Sequence, residues 1–185
     1  DECKMDPGGY FIINGSEKTC LGQEKAADNK IYVFKSKKNQ KWSHTAEMRC
    51  VPYWKVISPK QVYMMVSSKQ EKTGFSIHVM IPKLKKPIPL FILFRAMGIT
   101  SDKEICRYII LNLTNEKSKK FLKFLKGCIE SCQEYIEQED CIHYVKSCVI
   151  YTPINMTPEE GERKKIDFTN EILSNDLFPN CKTKK

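Results

Sequence analysis

Apolar positions along the chain follow two patterns. In the first half they alternate or gather in short β-rich runs; in the second half they recur every three to four residues. Tyr10-Phe11-Ile12-Ile13 leads directly into Asn14-Gly15. Asn-Gly tolerates the positive φ that a two-residue connection needs, so a hairpin is predicted, its second strand running from Ser16 to Gln23. Gly8-Gly9, just before it, would let another backbone come close at the strand start. Further strands are predicted over 31–34, 62–66 and 75–81, the last two joined by a loop containing Gly74. Phe75, Ile77, Val79 and Ile81 alternate, which gives one buried face. Residues 35–41 are a polar, charged connection, and His44, after Trp42-Ser43, reads as part of the same polar loop.

The period changes near Pro87. Pro89 suits the first turn of a helix running to Met97, with Gly98 just past its end. Ser101-Asp102-Lys103-Glu104 has the pattern of a capping box opening a helix that carries Ile105, Tyr108 and Ile109. A helix over 119–134 places Phe121, Leu125, Cys128 and Cys132 on one face. A weaker one over 139–149 carries Ile142, Val145 and Val149. Thr157-Pro158-Glu159-Glu160 is a second capping box, opening a basic helix with Ile166, Thr169, Ile172 and Leu173 that Pro179 stops. Strands followed by helices predict an α+β fold rather than alternating α/β.

The 185 residues suit one domain of ordinary size or one domain plus part of another. At 41% apolar and 29% charged the composition is globular. The longest apolar run, 88–94, is far short of the ~20 residues of a membrane helix, so no membrane role is expected. The first residue is Asp1 and no signal-like segment follows, so the chain reads as a processed product or a piece of something longer. The net charge is +9, and only four of the 31 basic residues are arginine. A lysine excess of this kind attracts polyanions at long range without reading base sequence. The lysines cluster at Lys35-Ser36-Lys37-Lys38, at Lys83-Leu84-Lys85-Lys86, across 117–126 and in the tail from Lys182; solubility alone would also explain them. An acidic stretch over 130–140 offsets them locally.

Nine cysteines is an odd number, and a chain of this length can build a core without staples. They read as mostly reduced, buried thiols of an intracellular protein. Cys128/Cys132 and Cys141/Cys148 have helical spacing and lack the paired Cys-x2-Cys knuckles of a zinc ribbon. Three N-x-S/T triplets, at Asn14, Asn112 and Asn155, leave a secreted, disulfide-linked domain as the competing reading. No phosphate-cradling glycine loop, zinc-protease helix, nucleophile elbow or D-x-D-x-D cluster is present. None of the three histidines has a nearby carboxylate–cysteine partner that suggests catalysis. No catalytic, cofactor-binding or metal-ligating residue is assigned. The candidate nucleic-acid or partner contacts are Lys18, Lys37, Lys38, Lys85 and Lys86, each of which reads equally as a solvated surface lysine.

Two segments carry a resemblance. Asp6-Pro7-Gly8-Gly9-Tyr10-Phe11-Ile12-Ile13-Asn14-Gly15-Ser16-Glu17-Lys18, continuing to Gln23-Glu24, closely resembles a signature stretch of the second-largest subunit of multisubunit DNA-directed RNA polymerases, especially the RNA polymerase II type. Ile88-Pro89-Leu90-Phe91-Ile92-Leu93-Phe94-Arg95-Ala96-Met97-Gly98, with Ile99 to Asp102 after it, is similar to that subunit's proline-led apolar helix. Ser43-His44-Thr45-Ala46-Glu47-Met48-Arg49 resembles the family's strand after the charged loop, and Arg163-Lys164-Lys165-Ile166 with Leu177-Phe178-Pro179 resembles its closing helix.

By this resemblance residues 1–28 would be the end of a protrusion-like segment and 29–185 a lobe-like domain. The resemblance implies a non-catalytic wall beside the DNA cleft of a nucleotidyltransferase. Its partners would be the largest subunit, a small zinc-ribbon subunit, initiation factors and nearby DNA. Magnesium and zinc would sit elsewhere in the complex, with no cofactor in this piece. The location would be the nucleus, or a virion or cytoplasmic factory for a large DNA virus. A stand-alone basic nucleic-acid-binding or adaptor module is the alternative. Arg95, ending an apolar helix, is expected to satisfy carbonyls or pair with Asp102 rather than contact DNA.

Overall fold

Strands come first and helices second in the computed structural model, which describes residues 3–37, 39–69, 74–111 and 115–182. The fold is α+β, as the order of periodicities predicts. Tyr10–Ile13 (β1) and Ser16–Thr19 (β2) form an antiparallel hairpin, with Asn14 at φ 53° and Gly15 at φ 76° making the tight turn. The returning strand is shorter than predicted. Gly8 and Gly9 also have positive φ, but nothing lies within 4 Å of where a Cβ would stand. Their role is therefore backbone shape, not the close approach expected.

Five strands form the main sheet as a continuous antiparallel meander: Ile31–Lys35 (β3), Trp42–Cys50 (β4), Lys60–Ser67 (β5), Ile77–Met80 (β6) and Ile88–Pro89 (β7). β4 corrects the loop reading of His44, which pairs with Lys35 on one side and Val66 on the other. The polar run Ser43-His44-Thr45 shows no alternation because β4 is only part-buried along most of its length. β7 was not predicted. Two residues are too few to show a period, and it exists because it pairs with β6.

The helices are Leu90–Ala96 (α1), Asp102–Ile110 (α2), Glu116–Glu130 (α3), Gln138–Cys148 (α4) and Pro158–Glu171 (α5). α1 is apolar nearly all round and packs chiefly on α4, with further contacts to β6, β7, α2 and α3. The core joins Val79, Ile81 and Ile88 of the sheet region to Phe91, Ile92, Ile105, Leu125, Val145 and Val149 of the helices. A bridge between Leu84 and Val149 ties the end of α4 to the β6–β7 connection; Lys85 N donates to Cys148 O at 2.8 Å and Ile150 N to Lys83 O at 2.9 Å. No helix among the described residues is long and apolar enough to cross a membrane.

The box at Thr157 forms as predicted: its side chain accepts from Glu160 N, and the Glu160 carboxylate accepts from Thr157 N. The box at Ser101 does not. The Ser101 side chain makes no cap bond, and α2 starts instead on backbone bonds from Glu104 N and Ile105 N to Ser101 O. Asp102 in that first turn is held from outside by Arg95. Phe121, placed by spacing on the buried face of α3, is 48% exposed. Leu125, Cys128 and Cys132 further along are buried, so the start of α3 overhangs the core.

Past α5 the chain makes one wide turn over Ile172–Asp176, which buries Ile172 and the Asp176 carboxylate. Asp176 meets Lys83 Nζ at 2.8 Å and Lys60 Nζ at 3.2 Å. Burial, the largest single influence, raises the carboxyl's pKa, but the hydrogen bonds and charges of Lys83 and Lys60 together outweigh it and hold it below the usual aspartate range. A depressed native pKa adds stability that is complete above the unfolded-state pKa and is lost as pH falls through the native one. Asp176→Asn is therefore expected to cost about 1–3 kcal/mol at neutral pH. In urea titrations the gap between the two proteins should close in acid, below about pH 4.

Candidate functional site

The candidate lysines within the described residues occupy three places. Lys18 lies on β2 opposite Phe11, exposed, on a hairpin whose strands contact chiefly each other. Lys37 is exposed in the β3–β4 connection, and Lys38 lies outside the described residues. Lys85 and Lys86 are exposed in the β6–β7 connection. Alternate turns of an antiparallel meander leave opposite ends, so the β3–β4 and β6–β7 connections start at opposite ends of the sheet, yet the last residues of the second, Lys86 and Pro87, line one cleft with Asn39, Gln40 and Lys41 of the first.

Between the connections lies an open cleft of about 780 Å³, lined among others by Lys41, Trp42, Lys69, His78 and Lys86. Lys41 Nζ sits 4.9 Å from the Trp42 ring centroid, and Lys86 Nζ 5.4 Å from that of Tyr144. The Trp42 and His78 rings meet at 5.2 Å, inclined by 54°. Ser76 N donates to Ser67 Oγ at 3.1 Å, which fixes the cleft floor where β5 leaves the sheet. Of the sequence candidates, only Lys86 lines the cleft; Lys18, Lys37 and Lys85 do not. Lys41, Trp42, Lys69 and His78 line the cleft without being among the sequence candidates. The one local signal was a lysine beside a tryptophan where the charged loop meets β4.

Arg95 is a structural cation. It is 3% exposed; Nη2 meets Asp102 Oδ1 at 2.6 Å, and Nη1 donates to Cys132 O at 2.7 Å and also to Tyr135 O. It thus satisfies carbonyls, as expected, though those beyond the end of α3 rather than of its own helix.

The nine cysteines are all free, six buried and three exposed (Cys3, Cys20 and Cys181). This agrees with the reduced reading and not with a disulfide-linked one. Burial pushes the thiols of Cys50, Cys106 and Cys132 up, and that of Cys141 to about 11, so none of these is a thiolate nucleophile at neutral pH. Among the described residues no group of three or more His, Cys, Asp or Glu could hold a metal ion. Thiol labelling of the native chain is expected to modify Cys3, Cys20 and Cys181 quickly and the six buried thiols only at the rate of unfolding, all nine reacting in denaturant.

The family described as RNA polymerase Rpb2, domain 2, matches residues 27–179. The DNA-directed RNA polymerase II subunit RPB2 of Encephalitozoon cuniculi is 34% identical over 192 residues, covering 100% of this chain and 15% of the relative. The subunit of the same name from Schizosaccharomyces pombe is 30% identical over 185 residues, covering 99% of this chain and 14% of the relative. DNA-directed RNA polymerase subunit 2 of Acanthamoeba polyphaga mimivirus is 28% identical over 182 residues, 96% of this chain and 14% of the relative. The chain thus spans about one-seventh of the length of these curated relatives.

Proposed function

Because this chain belongs to the RNA polymerase Rpb2 domain 2 family, we propose that it is a lobe-type, non-catalytic part of the second-largest subunit of a DNA-directed RNA polymerase. In this reading it forms one wall beside the DNA cleft and a surface on which other polymerase subunits and initiation factors dock. Nucleotidyl transfer belongs to the assembled enzyme, with its magnesium and zinc held outside this piece. The observation that carries the reading is similarity along the whole chain to subunits of that name. The start of the family match at residue 27 favours a boundary near residue 28 between a protrusion-like end and the lobe-like domain.

Surface physics favours the same reading. The β1–β2 hairpin exposes Tyr10, Phe11, Ile12 and Ile13, and edge strand β3 exposes Ile31 at 69% and Val33 at 67%. A row of exposed apolar side chains beside an unpaired strand edge is unfavourable in water and becomes favourable once another surface covers it. The eukaryotic relatives favour a nuclear location, while the mimivirus relative keeps a virion or cytoplasmic factory as the alternative.

The test is a chimera. This chain replaces the matching segment of the Schizosaccharomyces pombe subunit, and the assembled polymerase is assayed for transcription. Assembly with retained transcription is the expected outcome; a chimera that folds but does not assemble would count against the reading. A stand-alone basic module would instead bind nucleic acid as an isolated chain, with affinity falling steeply as salt rises.

A further inference from the structure

We propose that the cleft around Trp42 is a docking site for an acidic peptide segment of a partner protein. The proposal rests on reading the two lysine-rich connections as a partner contact, and it gives that partner its chemistry.

Three observations carry it. First, the charge is one-sided. Lys41, Lys69 and Lys86 line the cleft, and no described lining residue is a carboxylate. Elsewhere among the described residues lysines do find acids: Lys60 and Lys83 meet Asp176, Lys126 meets Glu130 and Lys146 meets Glu162. Second, the ammonium groups of Lys41 and Lys86 are held over aromatic rings rather than by anions. A ring face takes up one side of an ammonium and leaves N–H groups for an incoming carboxylate. The long side chain is already partly ordered, which lowers the entropy cost of binding. Third, the cleft is concave and about 780 Å³, a size that receives side chains.

The same geometry argues against nucleic acid as occupant. Single strands bind by stacking bases on open aromatic faces. Here Lys41 covers the Trp42 ring, and His78 leans on it at 5.2 Å. A duplex presents a rod rather than side chains that could enter a concavity.

The full 185-residue chain is titrated at low ionic strength with a short synthetic peptide of alternating aspartate and glycine, and separately with an oligothymidylate of equal charge. A Trp54→Phe background leaves Trp42 as the only tryptophan, so its emission reports the cleft directly. The peptide is expected to bind and change Trp42 emission. Lys41→Glu and Lys86→Glu are each expected to weaken binding about tenfold, equal to about 1.4 kcal/mol. Lys18→Glu makes the same change in net charge away from the cleft and should change binding less than about twofold. Circular dichroism checks that these surface variants remain folded.

The proposal is overturned if the peptide leaves Trp42 emission unchanged. It is also overturned if Lys18→Glu weakens binding as much as the cleft variants, or if oligothymidylate binds more tightly than the peptide. Any of these results leaves polymerase membership intact, since the chimera tests that separately.

Discussion

Replacing Arg95 with methionine is expected to lower the unfolding free energy by about 3–5 kcal/mol, among the largest effects of any single substitution in this chain. Methionine can fill much of the same space, so the loss comes from bonds rather than from a cavity. Arg95 is the partner of three groups on two other segments: the Cys132 and Tyr135 carbonyls beyond α3 and the Asp102 carboxylate that opens α2. With it gone, the Cys132 carbonyl is left buried without this donor, and the start of α2 loses its external tie. Arg95→Lys should recover only part of the loss, because an ammonium lacks the planar fork that reaches carbonyls and carboxylate together. Asp102→Asn should cost only about 1 kcal/mol, because the Asp102 side chain is 40% exposed and water can replace part of what it loses. Urea unfolding of the three variants checks this order. Equal losses for Arg95→Met and Asp102→Asn would show that the ion pair, and not the carbonyl bonds, carries the stabilisation.

The second large effect is at Gly127. On an exposed helix, glycine to alanine gains about 1 kcal/mol from propensity. At Gly127 the sign reverses. An added Cβ would lie 2.9 Å from Gly74 C and 3.0 Å from Phe75 O. Both are backbone atoms, which cannot swing aside as the tip of a side chain can. α3 must move away from the segment leading into β6, disturbing the stacked Phe75–Phe124 pair and the burial of Leu125 and Cys128. Overpacking of this kind costs about 1–3 kcal/mol, and that range is the expected net loss for Gly127→Ala in urea unfolding. A stabilised Gly127→Ala protein would mean that α3 does not pack this closely on the sheet.

Much of the fold is legible in the residues because most elements carry their own period. Asn14-Gly15, the alternation from Phe75 to Ile81 and the box at Thr157 are local signals, and the structure contains each of them. β4 and β7 are not local in this sense. β4 is polar and held by neighbours on both sides, and β7 is defined only by its pairing. Ser101 matches a capping pattern, yet its side chain caps nothing, and the first turn of its helix is tied by an ion pair to a residue on another helix, which spacing cannot show. The cleft has no local signature of its own. Lys41 comes from the β3–β4 connection, Trp42 from the start of β4, His78 from β6 and Lys86 from the β6–β7 connection, and only the fold brings them together. Of the sequence candidates Lys86 lines this cleft, while Lys18, Lys37 and Lys85 lie elsewhere on the surface.

The proposed role is that of a scaffold inside a transcribing enzyme rather than of a catalyst in its own right. The most direct measurement is affinity purification of the tagged native gene product, followed by a nucleotide-incorporation assay on a DNA template. The account predicts a multisubunit complex that makes RNA, with the isolated 185-residue piece showing no turnover. A gene product that purifies alone and supports no RNA synthesis, or turnover by the isolated piece, would contradict it.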